Sequence, residues 1–347
     1  MKELNLIKHG ILLEKTINEF ENAGVINPAA IETNEGFHLF YRAVSKGNYS
    51  SIGYCLLKSP LEVEKRNDLP ILTPEFDYEA HGIEDPRIVN IENVFYLTYT
   101  SYDGVNALSA VATSHDLQTF EKKGLIVPEI SYIDFARLTS IKYKIHEKYA
   151  RYNSIDITLN LSGKPLLVWN KNVMLFPRKI NGYFYFLQRI KPDIQLVKFE
   201  NWDDLTTEFW TDFFINFEQK IVLRPRFKHE ASYIGGGCPP IETPEGWVFI
   251  YHGVHDTING YVYSACVALL DLNNPSREIA RLPHPLFKPQ EPWELDGEVN
   301  NVCFPTGTLL VDDTLFIYYG AADEQIACAS LCLSALVQEL LHNKTMV

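Results

Sequence analysis

Five stretches along the chain share one pattern, a turn residue followed by a run rich in aromatic and β-branched side chains. They are GFHLFYRAV, NVFYLTYTSYDG, GYFYFLQRI, GWVFIYHGV and DTLFIYYGAAD, beginning near residues 36, 93, 181, 246 and 313. Most are followed by a second short apolar run: SIGYCLLKS, ALSAVATSHDL, IQLVKFENWDDL, YVYSACVALLDL and IACASLCLSAL. Strand, turn, strand is the signature of a β-hairpin. One such unit cannot bury both of its faces alone. Five copies therefore predict radial repetition, an all-β chain folded as a five-bladed β-propeller. A β-sandwich containing five hairpins has the same short-strand signature and is the competing architecture.

Long helical periodicity is scarce. The stretch DFARLTSIKYKIHEKYARYN predicts a helix in a segment inserted near 129–165, between the second and third units. SALVQELLHNK predicts a short helix closing the chain. No low-complexity linker is visible, so residues 1–347 are expected to form a single domain. No apolar run approaches the length needed to span a bilayer, which argues against a membrane protein. The N-terminal MKELNLIKHGILLEKTINEF breaks its apolar residues with charges and lacks a small-residue cleavage site. An unprocessed, cytoplasmic chain is expected.

Composition adds three constraints. With 46% apolar and 13% aromatic residues, the chain can bury a large core and does not resemble a disordered segment. Cys55, Cys238, Cys266, Cys303, Cys328 and Cys332 form no CxxC pair, and most lie in strand-like runs. Buried thiols in a reducing compartment are expected, rather than a disulfide framework or a zinc site. The net charge of -13 argues against non-specific nucleic-acid binding. It leaves room for an anionic ligand, because a few arginines focused in a cleft outweigh a distant acidic surface.

The candidate chemistry sits where a packed strand has no use for polar groups. Arg42 ends FHLFYR, Arg189 ends FYFLQR, His252 follows FIY, and Asp323 follows YYGAA. Any one of these taken singly reads as a satisfied strand-end side chain; four at matching positions predict a shared polar site. A second cluster, GIEDPRIV, sets Glu84, Asp85 and Arg87 among apolar residues beside a rigidifying proline. Its structural alternative is an Asp–Arg pair bracing a strand. In ASYIGGGCPPIETPEGW, three consecutive glycines suit a tight loop approached closely by a ligand. A fourth cluster, WELDGEVNNVCFPTG, carries Glu294, Asp296, Glu298 and Asn300. The chain lacks GK[ST], GxGxxG, HExxH and GxSxG patterns, so nucleotide-binding, zinc-protease and serine-hydrolase readings are disfavoured.

Taken together, GIEDPRIV, NKNVMLFPRKINGYFYFLQR, IGGGCPPIETPEGWVFIYHGV and DGEVNNVCFPTG…IYYGAAD resemble glycoside hydrolase family 130, motif by motif and in order, from about Asn27 to Asp323. That family comprises β-mannoside phosphorylases and some β-mannosidases on a five-bladed propeller. The resemblance implies an inverting reaction in an axial pocket, with Asp85 of the EDPR motif as general acid. Its proton would reach the glycosidic oxygen through a hydroxyl of the mannose, while phosphate, or water in the hydrolases, attacks from the opposite face. Mannose-holding residues would be Asn27, Arg42, Arg87 and Asp323. Phosphate-holding residues would be Lys171, Asn172, Arg189, His252 and Tyr263, with Lys171 where many members have arginine. The implied partners are a β-mannoside oligosaccharide and phosphate, the latter a co-substrate; neither a cofactor nor a metal is called for. The oligomeric state, a homo-oligomer included, is left open.

One departure bears on the reaction. Where phosphorylases commonly place a lysine before the glycine string, this chain has Tyr233. Losing a cation there costs about 1.5–3 kcal/mol of charge-assisted hydrogen bonding. Arg189, Lys171 and His252 remain, a cationic patch with no obvious partner carboxylate. The expected reaction is therefore phosphorolysis, giving α-mannose 1-phosphate and a shortened acceptor. The alternative is an inverting β-mannosidase in which Glu230 activates water. A non-catalytic glycan-binding propeller would show decay of the EDPR acid or the strand-end arginines, and both are present.

Overall fold

The structure is a computed structural model that describes residues 5–151, 163 and 165–344. Strands dominate it, in five antiparallel units, each of four strands except the fourth, which carries the short extra strand Ile241–Thr243. The central strand of each is one of the aromatic-rich runs: Gly36–Ser45, Val94–Tyr102, Phe184–Ile190, Gly246–Thr257 and Thr314–Ala321. Each pairs on one side with an inner strand: Gly24–Thr33, Gly82–Ile91, Lys171–Leu175, Tyr233–Gly236 and Cys303–Val311. On its other side lies the second strand of the hairpin that the sequence predicts. The first two units merge into one sheet through a single parallel pairing, Ser50 opposite Gly82. The fifth unit takes its outer strand, Ile7–Leu13, from the start of the chain, with Ile7 opposite Ser330.

Five hydrophobic cores follow, each between two consecutive units. The last, with Leu39, Tyr41, Tyr318 and Cys328, joins the fifth unit to the first. Successive side chains on a strand point to opposite faces. Leu39 and Tyr41 accordingly enter the core shared with the fifth unit, and Phe40 the core shared with the second. A central strand buried on both faces reads as a continuous apolar run, which is why alternation is weak in the sequence.

The predicted insert contains a helix at Tyr132–Thr139, whose N-cap Ser131 accepts from the Asp134 amide. Part of the insert, residues 152–162 and 164, lies outside the described residues. Thr207–Ile215 and Phe217–Lys220 form further helices that the sequence reading missed. Phe213, Phe214 and Phe217 bury against Phe135 of the insert in the core between the second and third units. The closing helix, Leu333–His342, caps the core between the fourth and fifth.

One buried network recurs in four units. A short helical turn, 3-10 in three units and α-helical at Pro292–Leu295, carries a fully buried glutamate (Glu21, Glu79, Glu230 or Glu294). That carboxylate accepts from a central-strand tyrosine hydroxyl and meets a cation from elsewhere in the sheet. The sets are Tyr41 with Arg66, Tyr99 with Lys122, Tyr251 with Arg281, and Tyr319 with Lys8. A buried charge is tolerated when paired and hydrogen-bonded. These sets fix the central strands one residue before the site.

Candidate active site

Each tyrosine of that network is followed in its strand by Arg42, Thr100, His252 or Gly320. Gln188 and Arg189 hold the corresponding places in the third unit. The ladder sets these residues opposite Ile26, Glu84, Lys171, Gly235 and Phe304. The register slips directly after these partners in three of the five inner strands, and one residue later, between Pro305 and Gly307, in the fifth. In the first three the residue directly after the partner has left-handed backbone: Asn27 at φ 53°, Asp85 at φ 51° and Asn172 at φ 57°. Asn and Asp tolerate this conformation better than other side chains. A bulge of this kind re-aims a side chain, and here it directs Asn27, Asp85 and Asn172 toward a common cavity.

That cavity, of about 230 Å³, is lined by Asn27, Arg42, Asp85, Lys171, Asn172, Arg189, Tyr263 and Asp323 among others. Eight residues singled out in the sequence thus converge. A larger cavity of about 590 Å³ adjoins it, sharing Arg42, Trp169, Lys171, Val299 and Asp323 and adding Glu84, Tyr102 and Glu298. Several buried polar atoms around the smaller cavity have no hydrogen-bond partner: Asn27 Oδ1, Asn172 Oδ1 and Nδ2, Arg189 Nε and Arg87 Nη2. Native proteins rarely leave such atoms unsatisfied unless a ligand completes them.

The lining residues fall into two groups. In the first, Glu84 accepts from Arg42 at 2.9 Å and from Lys171 at 3.0 Å. Asn27 donates to Asp85 Oδ1 at 2.6 Å. Burial pushes the Asp85 carboxyl up, but Lys171, Arg42, Arg87 and the Asn27 amide outweigh it and hold the group below its ordinary range. Asp323 goes the other way: burial, with Asp85 and Glu84 nearby, outweighs Arg42 and Lys171 and raises it. In the second group, the Tyr233 and Tyr263 hydroxyls bond each other at 2.7 Å. The Arg189 guanidinium lies 5.6 Å from the Tyr233 ring centre and Lys191 Nζ 4.2 Å from it. His252 packs on Phe304 with ring centres 4.3 Å apart, and burial followed by Arg189, Arg87 and Lys191 pushes its pKa far down. It is a neutral imidazole at pH 7.

Several expectations need correcting. His252 and Arg87 are not among the residues lining the cavity; both are fully buried. Arg87 donates to the Asp85, Pro86 and Gly237 carbonyls and so ties the acid's strand to the glycine string. Gly235 and Gly236 lie in a strand, Tyr233–Gly236, rather than a ligand-cradling loop, and Gly237 follows its end. A Cβ on Gly235 would come within 2.4 Å of His252 Nε2 and 2.9 Å of Arg189 Cδ, so glycine makes room for side chains. Lys171 does have a partner carboxylate, Glu84. Asp323 is not equivalent to Arg42: that place belongs to Gly320, where a Cβ would meet Asn27 Oδ1 at 2.2 Å. Glu230, the suggested base for water, is absent from both cavities. Its oxygens accept from Tyr251, Arg281 and the Arg226 and Phe227 amides, the same pattern of tyrosine, cation and two amides that Glu79 and Glu294 show. His229 and Cys266 also approach Glu230, but its lone pairs are already engaged.

The sequence reading missed Lys191, Trp169 and Tyr102 as lining residues. Trp169 and Tyr102 meet edge to face, 6.3 Å apart, in the lining of the larger cavity. Their signal was available as a tryptophan two residues before Lys171 and a tyrosine closing the second central strand.

Comparison with known proteins completes the picture. The family model for glycoside hydrolase family 130, described as beta-1,4-mannooligosaccharide phosphorylase, matches residues 12–341. A 1,2-beta-oligomannan phosphorylase of Thermoanaerobacter sp. (strain X514) is 34% identical over 92% of this chain and 94% of its own. A beta-1,2-mannobiose phosphorylase of Listeria innocua is 30% identical, covering 94% of both chains. The solved structure of a Listeria innocua beta-1,2-mannobiose phosphorylase with beta-1,2-mannobiose superposes with a TM-score of 0.73 at 22% identity, over 97% of this chain and 99% of that one. A structure of family-130 glycoside hydrolases that target beta-1,2 mannosidic linkages gives 0.72 at 23% identity, over 94% of each chain. With the family model spanning nearly the whole chain and full-length relatives at this identity, the protein belongs to glycoside hydrolase family 130.

Proposed function

We propose that this protein is a cytoplasmic, inverting β-mannoside phosphorylase on a five-bladed β-propeller, cleaving β-1,2-linked mannooligosaccharides with inorganic phosphate. Five units with a core between each consecutive pair, the fifth against the first included, support the propeller. Six cysteines, none of them in a disulfide among the described residues, agree with a reducing compartment. The linkage rests on the full-length relatives named for β-1,2 substrates.

The observation that carries the reaction type is how charge is divided around the smaller cavity. Its carboxylates, Asp85 and Asp323, both belong to the Arg42–Lys171 group. Asn172, Arg189, Lys191, Tyr233 and Tyr263 contribute cations and neutral polar groups but no carboxylate. An anionic nucleophile fits that side, whereas water would need a base there.

In the reaction the bond from the anomeric carbon to the acceptor oxygen breaks as a phosphate oxygen bonds the opposite face. The Asp85 proton, relayed by a mannose hydroxyl, neutralises the departing oxygen. In the free site Asp85 is held ionised. Phosphate entering near Lys171 and Arg189 takes up part of the positive field, so Asp85 gains its proton as the anion binds. Trp169 and Tyr102 offer aromatic surface to the acceptor sugars. The test is a paired assay on a β-1,2-mannooligosaccharide with and without phosphate. α-Mannose 1-phosphate should form, and consumption without phosphate should be slower by well over tenfold. Equal rates with free mannose as sole product would make the enzyme a hydrolase.

A further inference from the structure

We infer that Lys191 supplies the phosphate-site cation missing at Tyr233, reaching the anion from the end of the third unit's central strand instead of from the fourth unit's inner strand. The inference rests on the phosphorolytic reading above. Three observations carry it. First, Lys191 lines the smaller cavity together with Asn172, Arg189, Tyr233 and Tyr263. Second, its Nζ lies 4.2 Å from the Tyr233 ring centre, with the Arg189 guanidinium 5.6 Å from the same centre. The tyrosine that replaces a cation in the strand thus holds one over its face, and an aromatic face attracts an ammonium by its quadrupole. Third, buried His252 feels Arg189, Arg87 and Lys191 together, all acting to keep it neutral. The positive field at that end of the cavity therefore includes Lys191.

The remaining candidate cation, Lys171, is bridged to Glu84 at 3.0 Å and is shared with the acid's network. Arg189 and Lys191 are then the two cations on the phosphate side, one a planar fork and one a point charge. The hydroxyl pair Tyr233–Tyr263, joined at 2.7 Å, closes the same side with neutral groups, since burial holds both phenols protonated. Charge lost from one strand has been regained from its neighbour, and the aromatic ring is the mount that makes the substitution work.

The test compares the full-length enzyme with Lys191→Met, Lys191→Arg, and the double variant Lys191→Met with Tyr233→Lys. KM for phosphate and KM for β-1,2-mannobiose are read separately. Lys191→Met should raise the phosphate KM by about 10- to 100-fold, the loss expected for one charge-assisted contact. The mannobiose KM at saturating phosphate should stay within about twofold, and Lys191→Arg should retain most phosphate affinity. Adding Tyr233→Lys should restore at least part of it, because the cation returns to the other strand. If Lys191→Met folds poorly, Lys191→Gln is read in the same way. A phosphate-dependent wild type whose phosphate KM is unchanged by loss of Lys191 overturns this inference alone. A wild type indifferent to phosphate overturns the phosphorolytic reading instead.

Discussion

Asp85 and Asp323 face the same cavity with opposite electrostatic settings, and their substitutions should separate accordingly. Asp85 is held below the ordinary carboxylate range. Its contribution to stability is present above the unfolded-state value and is lost as pH falls through the lower folded value. Asp85→Asn should therefore lower the melting temperature at pH 7 while reducing turnover by about 10²-fold or more. A variant keeping a tenth of wild-type turnover would remove Asp85 from the role of acid. Asp323 is raised, so its contribution is present below the unfolded-state value and lost as pH rises through the folded one. At neutral pH its charge costs stability. Asp323→Asn should raise the melting temperature by about 1–3 °C and weaken mannoside binding, with the thermal gain shrinking in acid. A melting temperature that drops at pH 7 would show that Asp323 is stabilising after all.

At the scale of elements, the site depends on two repeated devices. The bulged inner strands turn Asn27, Asp85 and Asn172 inward, and the glutamate–tyrosine–cation sets pin the neighbouring strands. Glu230 belongs to the second device. Glu230→Gln removes a buried charge from beside Arg281 and Tyr251, so it should destabilise the fold by about 3 kcal/mol, while the folded fraction still consumes substrate in a phosphate-dependent way. Thermal melts together with activity per folded molecule decide this. Loss of turnover with an unchanged melt would return Glu230 to the chemistry. Gly235→Ala should displace His252 and Arg189, which a Cβ would approach to 2.4 and 2.9 Å, and so raise the phosphate KM. An alanine variant with wild-type phosphate affinity would mean that the glycine string does not shape the anion site.

For the whole molecule, acid and anion are coupled across one cavity. If phosphate relieves the positive field that holds Asp85 down, the acid's apparent pKa must rise when phosphate is bound. The pH dependence of turnover at saturating phosphate should then extend its active range to higher pH than the free-enzyme titration of Asp85 would allow. Titrating Asp85 by NMR with and without phosphate checks the sign, and an unchanged value would uncouple the two.

The linear pattern of the chain was enough to set out five aromatic hairpin units, a helical insert and a closing helix, because strand and helix periodicities are local. It also exposed Asp85, Arg42 and Arg189, since polar residues inside apolar runs have no packing role there; Asn172 came only from the family resemblance. What it could not show depends on contacts between distant segments. Glu230 and Asp85 are both acids beside apolar strands; only the burial of one under Tyr251 and Arg281, and the opening of the other onto a cavity, tell them apart. Lys171 seemed unpaired until the fold brought Glu84 to it across 87 positions of sequence. The helices at Thr207–Ile215 and Phe217–Lys220 hide in a short aromatic segment whose partner, Phe135, is remote in the chain. Nothing in the local pattern singles out Lys191; only the fold sets its ammonium against the Tyr233 ring. Residue type and period are properties of the chain, whereas burial and charge pairing arise only when segments distant in sequence pack against one another.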